Sequence, residues 1–334
     1  MKIEDVGEFG LIDILKQDTI YNPATVVVGI GDDAAVLLPT PHHLQLLTTD
    51  MLVENVHFDM KTTLPLQLGY KSMAVSFSDI AAMGGKPCHA VVSIAIPQKT
   101  DVDFLINLYQ GMKEICQEFD VNIVGGDTVS SNYEIIINVA VTGEVNPVQL
   151  VRRSGAQVGD IVAVTGTLGN SSMGLALLAV DQWEDYTFAW PLVMAHLTPQ
   201  PLVYQGQQLG KLGATSMNDI SDGLASEINE IAAASKVGIL VNQAQIPLSS
   251  ELLQASELLE VSAVECALYG GEDFQLVFTM NPDDFAKLTE DDVGIRFTEI
   301  GKVVKKEEVI LIDDEGHSSV LEPKGFNHFR QEEP

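Results

Sequence analysis

Five separated segments of this chain set aspartates beside glycine, threonine or serine: GIGDD (29–33), LLTTD (46–50), SFSDI (76–80), VGGDT (124–128) and NDISDG (218–223). All of these donors are hard oxygens, and no His/Cys cluster accompanies them. That ligand chemistry selects Mg²⁺ or Ca²⁺ over zinc or iron. Mg²⁺ usually arrives with substrate phosphates rather than inside a complete protein cage. The pattern therefore points to nucleotide-dependent phosphoryl transfer, where positioning and charge neutralisation carry the rate. Each segment also has a plain structural reading: a hairpin turn for GIGDD, a strand end for TTD, and an N-cap at Ser221 or Asp222 for SDG. Asp219 has no such reading, and the recurrence of the pattern favours the chemistry.

Asp79 is the most telling single residue. It lies in LPLQLGYKSMAVSFSDIAAMGG, a stretch of apolar and small residues whose only other charge is Lys71. A buried helix is expected there, and an ionised carboxylate inside it needs a cation or a metal. Lys71 is about two turns away, beyond an easy i,i+4 pair.

What holds the nucleotide is less direct. No GxxxxGK[ST] loop is present, and GQQLGK (206–211) has the wrong spacing and lacks the hydroxyl. The strand-turn-helix VAVTGTLGNSSMGLALL could offer backbone N–H groups to a phosphate. Arg153 is the stronger candidate for a phosphate contact, with Arg152 competing for the role.

These residues must be positioned by a sizeable fold. The chain has 334 residues, 46% hydrophobic and 19% charged, which suits two globular domains. With 47 acidic against 18 basic residues the formal charge is −29, which repels nucleic acid and anionic membranes. A polyphosphate ligand would need divalent cations to screen that field. Three cysteines, widely spaced, suggest neither a disulfide framework nor a metal knuckle. The N-terminal residues show no secretory pattern and no run is long enough to span a bilayer, so a cytoplasmic location is expected.

An opening helix (Phe9 to Leu15) leads into β-rich segments interleaved with helices predicted at Leu66–Met83 and Val102–Phe119, the second closed by Asp120. The pattern restarts near Asn146-Pro147 with RRSGAQVGD. A second α/β unit follows, with helices predicted at Pro201–Leu212 and Gly223–Ser235. The expected class is α/β with mixed sheets, divided into 1–147 and 148–334.

In order along the chain, GIGDDAAVL, TTDMLVENVHF, SFSDIAAMGGKP, IVGGDT, RRSGAQVGD, VTGTLGNSSMGLALL, NDISDGL and YGGEDFQL resemble the motifs of the thiamine-monophosphate kinases, members of the aminoimidazole ribonucleotide synthetase superfamily. The likeness runs from Gly7 to Phe329. It implies a two-domain fold of that superfamily, with an N-terminal sheet domain that forms a homodimer and a C-terminal α/β domain. It implies ATP-dependent phosphorylation of thiamine monophosphate to thiamine diphosphate by direct in-line transfer with several Mg²⁺ ions and no catalytic side chain in the covalent chemistry. Carried over motif by motif, Asp33, Thr48, Thr49, Asp50, Asp79, Asp127 and Asp219 resemble metal ligands, and Asp222 holds a further ion. Tyr109, Gly126, Asp127, Arg153 and Ser221 resemble ATP contacts. His57, Glu272 and Phe326 resemble contacts to the thiamine phosphate, with Phe326 stacking on the ring.

Within the superfamily, a selenophosphate synthetase would need a reactive cysteine near the N-terminus, and a hydrogenase-maturation dehydratase a C-terminal one. Aminoimidazole ribonucleotide synthetase is the nearer alternative, although NVHF and YGGEDF suit the kinase better. From another class, the same carboxylates could serve a non-catalytic metal or nucleotide sensor.

Overall fold

A computed structural model describes residues 10–30 and 34–326. The chain separates into two compact units, Met1–Ile80 with Gly85–Pro147, and Ala81–Gly84 with Val148–Pro334.

In the first unit, helix α1 (10–15) precedes a small hairpin of β1 (Val26–Val28) and β2 (Val36–Leu37). Then come β3 (Leu44–Val53), α2 (Pro65–Ala82), β4 (Lys86–Pro97), α3 (Val102–Phe119), β5 (Asn122–Ser131) and β6 (Ile136–Val145). The main sheet has four strands in the order β3-β6-β4-β5, antiparallel except for the β4–β5 pair.

Side chains alternate across this sheet, as the two-residue period of a strand requires. On one face Leu46 and Leu52 of β3, Val92, Ile94 and Ile96 of β4, and Ile137, Val139 and Val141 of β6 are buried. Helix α3 turns Leu105, Leu108, Met112 and Ile115 inward at helical spacing and ends on Asp120 in the left-handed region, φ 57°. The two helices touch closely. A Cβ on Gly69 would lie 1.8 Å from the Leu108 carbonyl oxygen, and one on Gly111 would lie 1.9 Å from that of Leu66. Only glycine admits this approach, and it fixes the helix that carries Ser76 and Asp79.

The opposite face is open, with Leu47 (77% exposed), Met51, Val91 and Val129 pointing outward among polar side chains.

The second unit contains β7 (Ile161–Thr165), α4 (Asn170–Leu177), α5 (Ala189–Leu197), α6 (Val203–Leu212), β8 (Ala214–Asp219), α7 (Leu224–Ser235), β9 (Gly238–Asn242), α8 (Ser250–Leu259) and α9 (Ala263–Tyr269). It continues with β10 (Leu276–Met280), the short helices α10 (Pro282–Phe285) and α11 (Glu290–Val293), β11 (Phe297–Val304), β12 (Val309–Ile312) and β13 (Ser318–Val320). Its mixed sheet runs β13-β12-β9-β11-β7-β10-β8, with only β9 and β12 parallel. Leu224, Ile228 and Ile231 of α7 form one apolar face buried against Val164, Val277 and Ile239 of the sheet. Among the described residues no helix is long and apolar enough to cross a membrane.

Candidate functional site

In the first unit, one face of β3 meets α2. Thr48 donates its hydroxyl to the Asp79 carboxylate, and Ser76 donates to Asp50 Oδ2 at 2.6 Å. Two half-buried carboxylates are thus held by hydroxyls from the neighbouring element, an oxygen-rich pair suited to a hard cation. His57 follows β3, and its Nδ1 accepts the Val53 N–H at 3.0 Å. That bond leaves the ring proton on Nε2, which makes the ring a donor of the kind a phosphate oxygen needs.

Thr49 and Asp127 lie on the other face. Thr49 accepts from Asn138 Nδ2 at 3.0 Å, and the register places Asp127 in line with Ser93, Asn138 and Met51 across the sheet. Asp50 is on one edge strand and Asp127 on the other, so three strand spacings, on the order of 14 Å, separate their backbones. One ion cannot join them within a single chain. Gly126 sits where β5 crowds β4: a Cβ there would lie 1.9 Å from the Val92 carbonyl oxygen. Tyr109 is buried on α3, and that burial pushes its phenol up to about 12. Asp33, together with its neighbour Asp32, lies outside the described residues.

The second unit brings together motifs that are far apart in sequence. Asp219 ends β8, and the loop from there to α7 carries Ser221 and Asp222. The carbonyl of Ser221 accepts the Glu272 N–H at 2.7 Å, and the carbonyl of Asp222 accepts the Phe326 N–H at 3.2 Å. A Cβ on Gly325 would strike the same Asp222 oxygen at 1.9 Å, so the segment before Phe326 lies directly on the loop. Phe326 is 52% exposed there, which is more than a packing aromatic shows and fits a surface for a planar ligand. Arg153 reaches the strand that leads into the loop: its Nε donates to Asn218 Oδ1 at 3.0 Å and its Nη1 pairs with Glu230 at 2.9 Å.

Two local expectations are corrected. Neither Ser221 nor Asp222 caps α7, whose N-cap is Gly223 with no side-chain bond. Instead, Glu227 reaches back from the first turn. Its Oε1 accepts from Ser221 Oγ at 3.3 Å and from the Asp222 N–H at 3.1 Å, while Asn218 holds the other oxygen. Burial, then the nearby Asp219, pushes the Glu227 carboxyl up to about 8. The turn before α4 does not offer its amides to a phosphate either. The Asp273 carboxylate already occupies them, with Gly169 N at 2.5 Å and Ser171 N at 3.0 Å.

Sequence reasoning missed Glu227 and Asp273. The signal for Glu227 was present: it stands three residues after Leu224 and four before Ile231, on the edge of the apolar stripe.

Asp273 gives a pH signature. Burial raises its carboxyl to about 7, against the pull of the Gly169, Ser171 and Asn170 amides. An unfolded aspartate ionises near 3.9, so its stabilising contribution is full below that pH and is lost as pH rises to about 7. Asp273→Asn removes that titration. The melting temperature of the wild type minus that of the variant should fall steadily from about pH 4 to about pH 7; a constant difference would refute the assignment.

Among the described residues no three His, Cys, Asp or Glu side chains converge tightly enough to hold a metal alone. The oxygen donors nevertheless fit Mg²⁺, which fills its coordination from phosphate and water.

Residues 31–145 match the family model described as AIR synthase related protein, N-terminal domain, and residues 157–314 match its C-terminal counterpart. The thiamine-monophosphate kinase of Bacillus subtilis is 38% identical, covering 97% of this chain and 100% of the relative. A solved thiamine-monophosphate kinase from Stenotrophomonas maltophilia superposes with a TM-score of 0.81 at 30% identity, covering 94% of this chain and 98% of that one. A second structure, AaThiL complexed with AMPPCP and TMP, superposes with a TM-score of 0.79 at 36% identity, covering 98% and 99%. With motifs, fold and full-length likeness in agreement, the chain belongs to the thiamine-monophosphate kinase family, built from the two domains of the AIR synthase-related fold.

Proposed function

We propose that this chain transfers the γ-phosphoryl group of ATP to thiamine monophosphate, yielding thiamine diphosphate and ADP. A phosphate oxygen of the acceptor bonds to the γ-phosphorus while the bond to the β-phosphate oxygen breaks. The acceptor is already an ionised phosphate, so no side chain need remove a proton. The observation that carries this reading is the loop between β8 and α7, to whose Ser221 and Asp222 carbonyls Glu272 and Phe326 are hydrogen-bonded. That juxtaposition supports an acceptor site on the second unit, with Phe326 against the thiamine ring and Glu272 on its polar edge; His57 of the first unit, with a donor at Nε2, is the residue the motif likeness assigns to the acceptor phosphate.

Arg153 and Ser221 serve the nucleotide in this reading, together with Tyr109, Gly126 and Asp127. Mg²⁺ is the metal the donor set suits, with Asp33, Thr48, Thr49, Asp50, Asp79, Asp127, Asp219 and Asp222 shared out as ligands among several ions. When bound, it neutralises charge on the transferring phosphates. The chain's own contribution is orientation: Ser76 and Thr48 aim the Asp50 and Asp79 carboxylates, and Glu227 shapes the turn that presents Ser221 and Asp222.

A homodimer through the first unit's sheet fits the exposed apolar side chains Leu47, Met51, Val91 and Val129 on its open face. Stacking a second copy there would also give Thr49 and Asp127 a role at the interface. Met51→Glu should convert the dimer to monomer in sedimentation; an unchanged dimer would point to another face. The three cysteines are free, in keeping with a cytoplasmic protein.

The deciding experiment measures ADP release from ATP and Mg²⁺ with and without thiamine monophosphate. Acceptor-dependent release with thiamine diphosphate as product supports the proposal. Binding of ATP without such turnover would replace it with a sensor.

A further inference from the structure

We infer that His196, buried on α5, is a positioning residue that fixes the direction of the Glu272 carboxylate and thereby sets affinity for the acceptor. This rests on the reading of Glu272 as an acceptor contact. Glu272 has φ +65° and Phe274 φ +48°, both in the left-handed region that side-chain-bearing residues avoid. Backbone bonds hold them there, from Glu272 N to Ser221 O at 2.7 Å and from Phe274 N to Ile220 O at 2.9 Å. Strain of this kind persists only where surrounding contacts over-determine it, and it marks sites where direction matters.

The side chain needs its own restraint, because a glutamate has several rotatable bonds and the Glu272 side chain is 26% exposed. His196 supplies it. Its Nδ1 lies 3.2 Å from Glu272 Oε2 and 3.2 Å from Ser171 Oγ, with the imidazole almost wholly buried. With its hydrogen on Nδ1, the ring donates to the carboxylate. Ser171 in turn gives its N–H to Asp273 Oδ1 at 3.0 Å. The consecutive acids Glu272 and Asp273 are therefore both fastened to the first turn of α4, Asp273 directly and Glu272 through His196. The carboxylate arrives at the ligand already ordered, and the entropy of ordering it is not charged to binding.

The test measures the Kd of thiamine monophosphate by titration calorimetry, alongside the ATP KM and the melting temperature. His196→Leu should weaken acceptor binding roughly tenfold, the scale of one hydrogen bond to a charged group, with the ATP KM unchanged. His196→Asn, whose amide nitrogen stands near the Nδ1 position, should restore most of the affinity. In a Glu272→Gln background, His196→Leu should add little further loss.

If Glu272→Gln weakens the acceptor but His196→Leu does not, the inference fails while the Glu272 assignment stands. If Glu272→Gln itself changes nothing, both fail. A loss shared by acceptor and ATP with a lower melting temperature, and no recovery in His196→Asn, would reduce His196 to packing. Should His196→Leu not fold, the same comparison between His196→Asn and His196→Gln decides the matter, since only the shorter amide reaches the Nδ1 position.

Discussion

Replacing Asp79 with asparagine should reduce acceptor-dependent ADP release on the order of 10³-fold or more, while leaving the circular dichroism and melting temperature near those of the wild type. The two halves of that expectation have separate causes. Asp79 accepts the Thr48 hydroxyl, and an asparagine side-chain oxygen can still accept it. The β3–α2 contact and its neighbour, Ser76 to Asp50, therefore survive. What disappears is a negative charge in a half-buried position, where charge attracts a divalent cation far more strongly than it would in bulk water.

A polyphosphate approaching a chain with a formal charge of −29 depends on such cations. ATP and the acceptor phosphate repel each other as well as the protein, and the transition state concentrates that repulsion at the transferring group. The loss should appear in kcat. Raising Mg²⁺ should recover only part of it, because added metal restores occupancy but not the position of the ligand. Near-normal turnover in Asp79→Asn would remove Asp79 from the metal set and leave it as a structural partner of Thr48.

Much of the scaffold was legible because hydrophobic periodicity and its punctuation agree. The helix predicted at Val102–Phe119 is α3, and the predicted stop at Asp120 is a left-handed cap. The long apolar stretch around Lys71 and Asp79 is α2, and its near-continuous burial is what its composition demanded.

Strand β8 escaped, since ATSMND carries almost no apolar pattern. Its polar side chains pair with the neighbouring strand: the Ser216 and Thr215 hydroxyls lie 2.7 and 2.6 Å from Thr279 Oγ1 of β10. Hydrogen-bonded burial of this kind has no periodic signature. The same limit hid the site's supporting acids. Asp273 looks like a turn residue in GGEDF until the fold brings Gly169 and Ser171 to it across about a hundred residues of sequence. His196 carries no local signal, because its partners come from α4 and from the loop before β10. The residues proposed for the site were readable as motifs. The layer that orients them is defined only by tertiary contact.

Gly126 offers the sharpest case of a motif residue with two explanations. The resemblance assigns it to ATP, yet the structure supplies a reason that needs no ligand. A Cβ at Gly126 would sit 1.9 Å from the Val92 carbonyl oxygen and 2.8 Å from its carbon, both rigid backbone atoms of the paired strand β4. No side-chain rotation relieves such a clash, so the β4–β5 pair must part locally or shift register. Gly126→Ala is expected to cost at least about 3 kcal/mol, lowering the melting temperature by roughly 10 °C for a unit of this size.

Asp127 follows immediately, so the same shift would move its carboxylate, and ATP affinity should fall together with stability. The comparison that separates the explanations is Asp127→Asn, in which the backbone stays in place. Loss of ATP affinity there at an unchanged melting temperature assigns the nucleotide contact to the carboxylate and makes Gly126 the residue that lets β5 approach β4. If Gly126→Ala instead melts like the wild type while losing ATP, the steric account is wrong and the glycine faces the nucleotide itself.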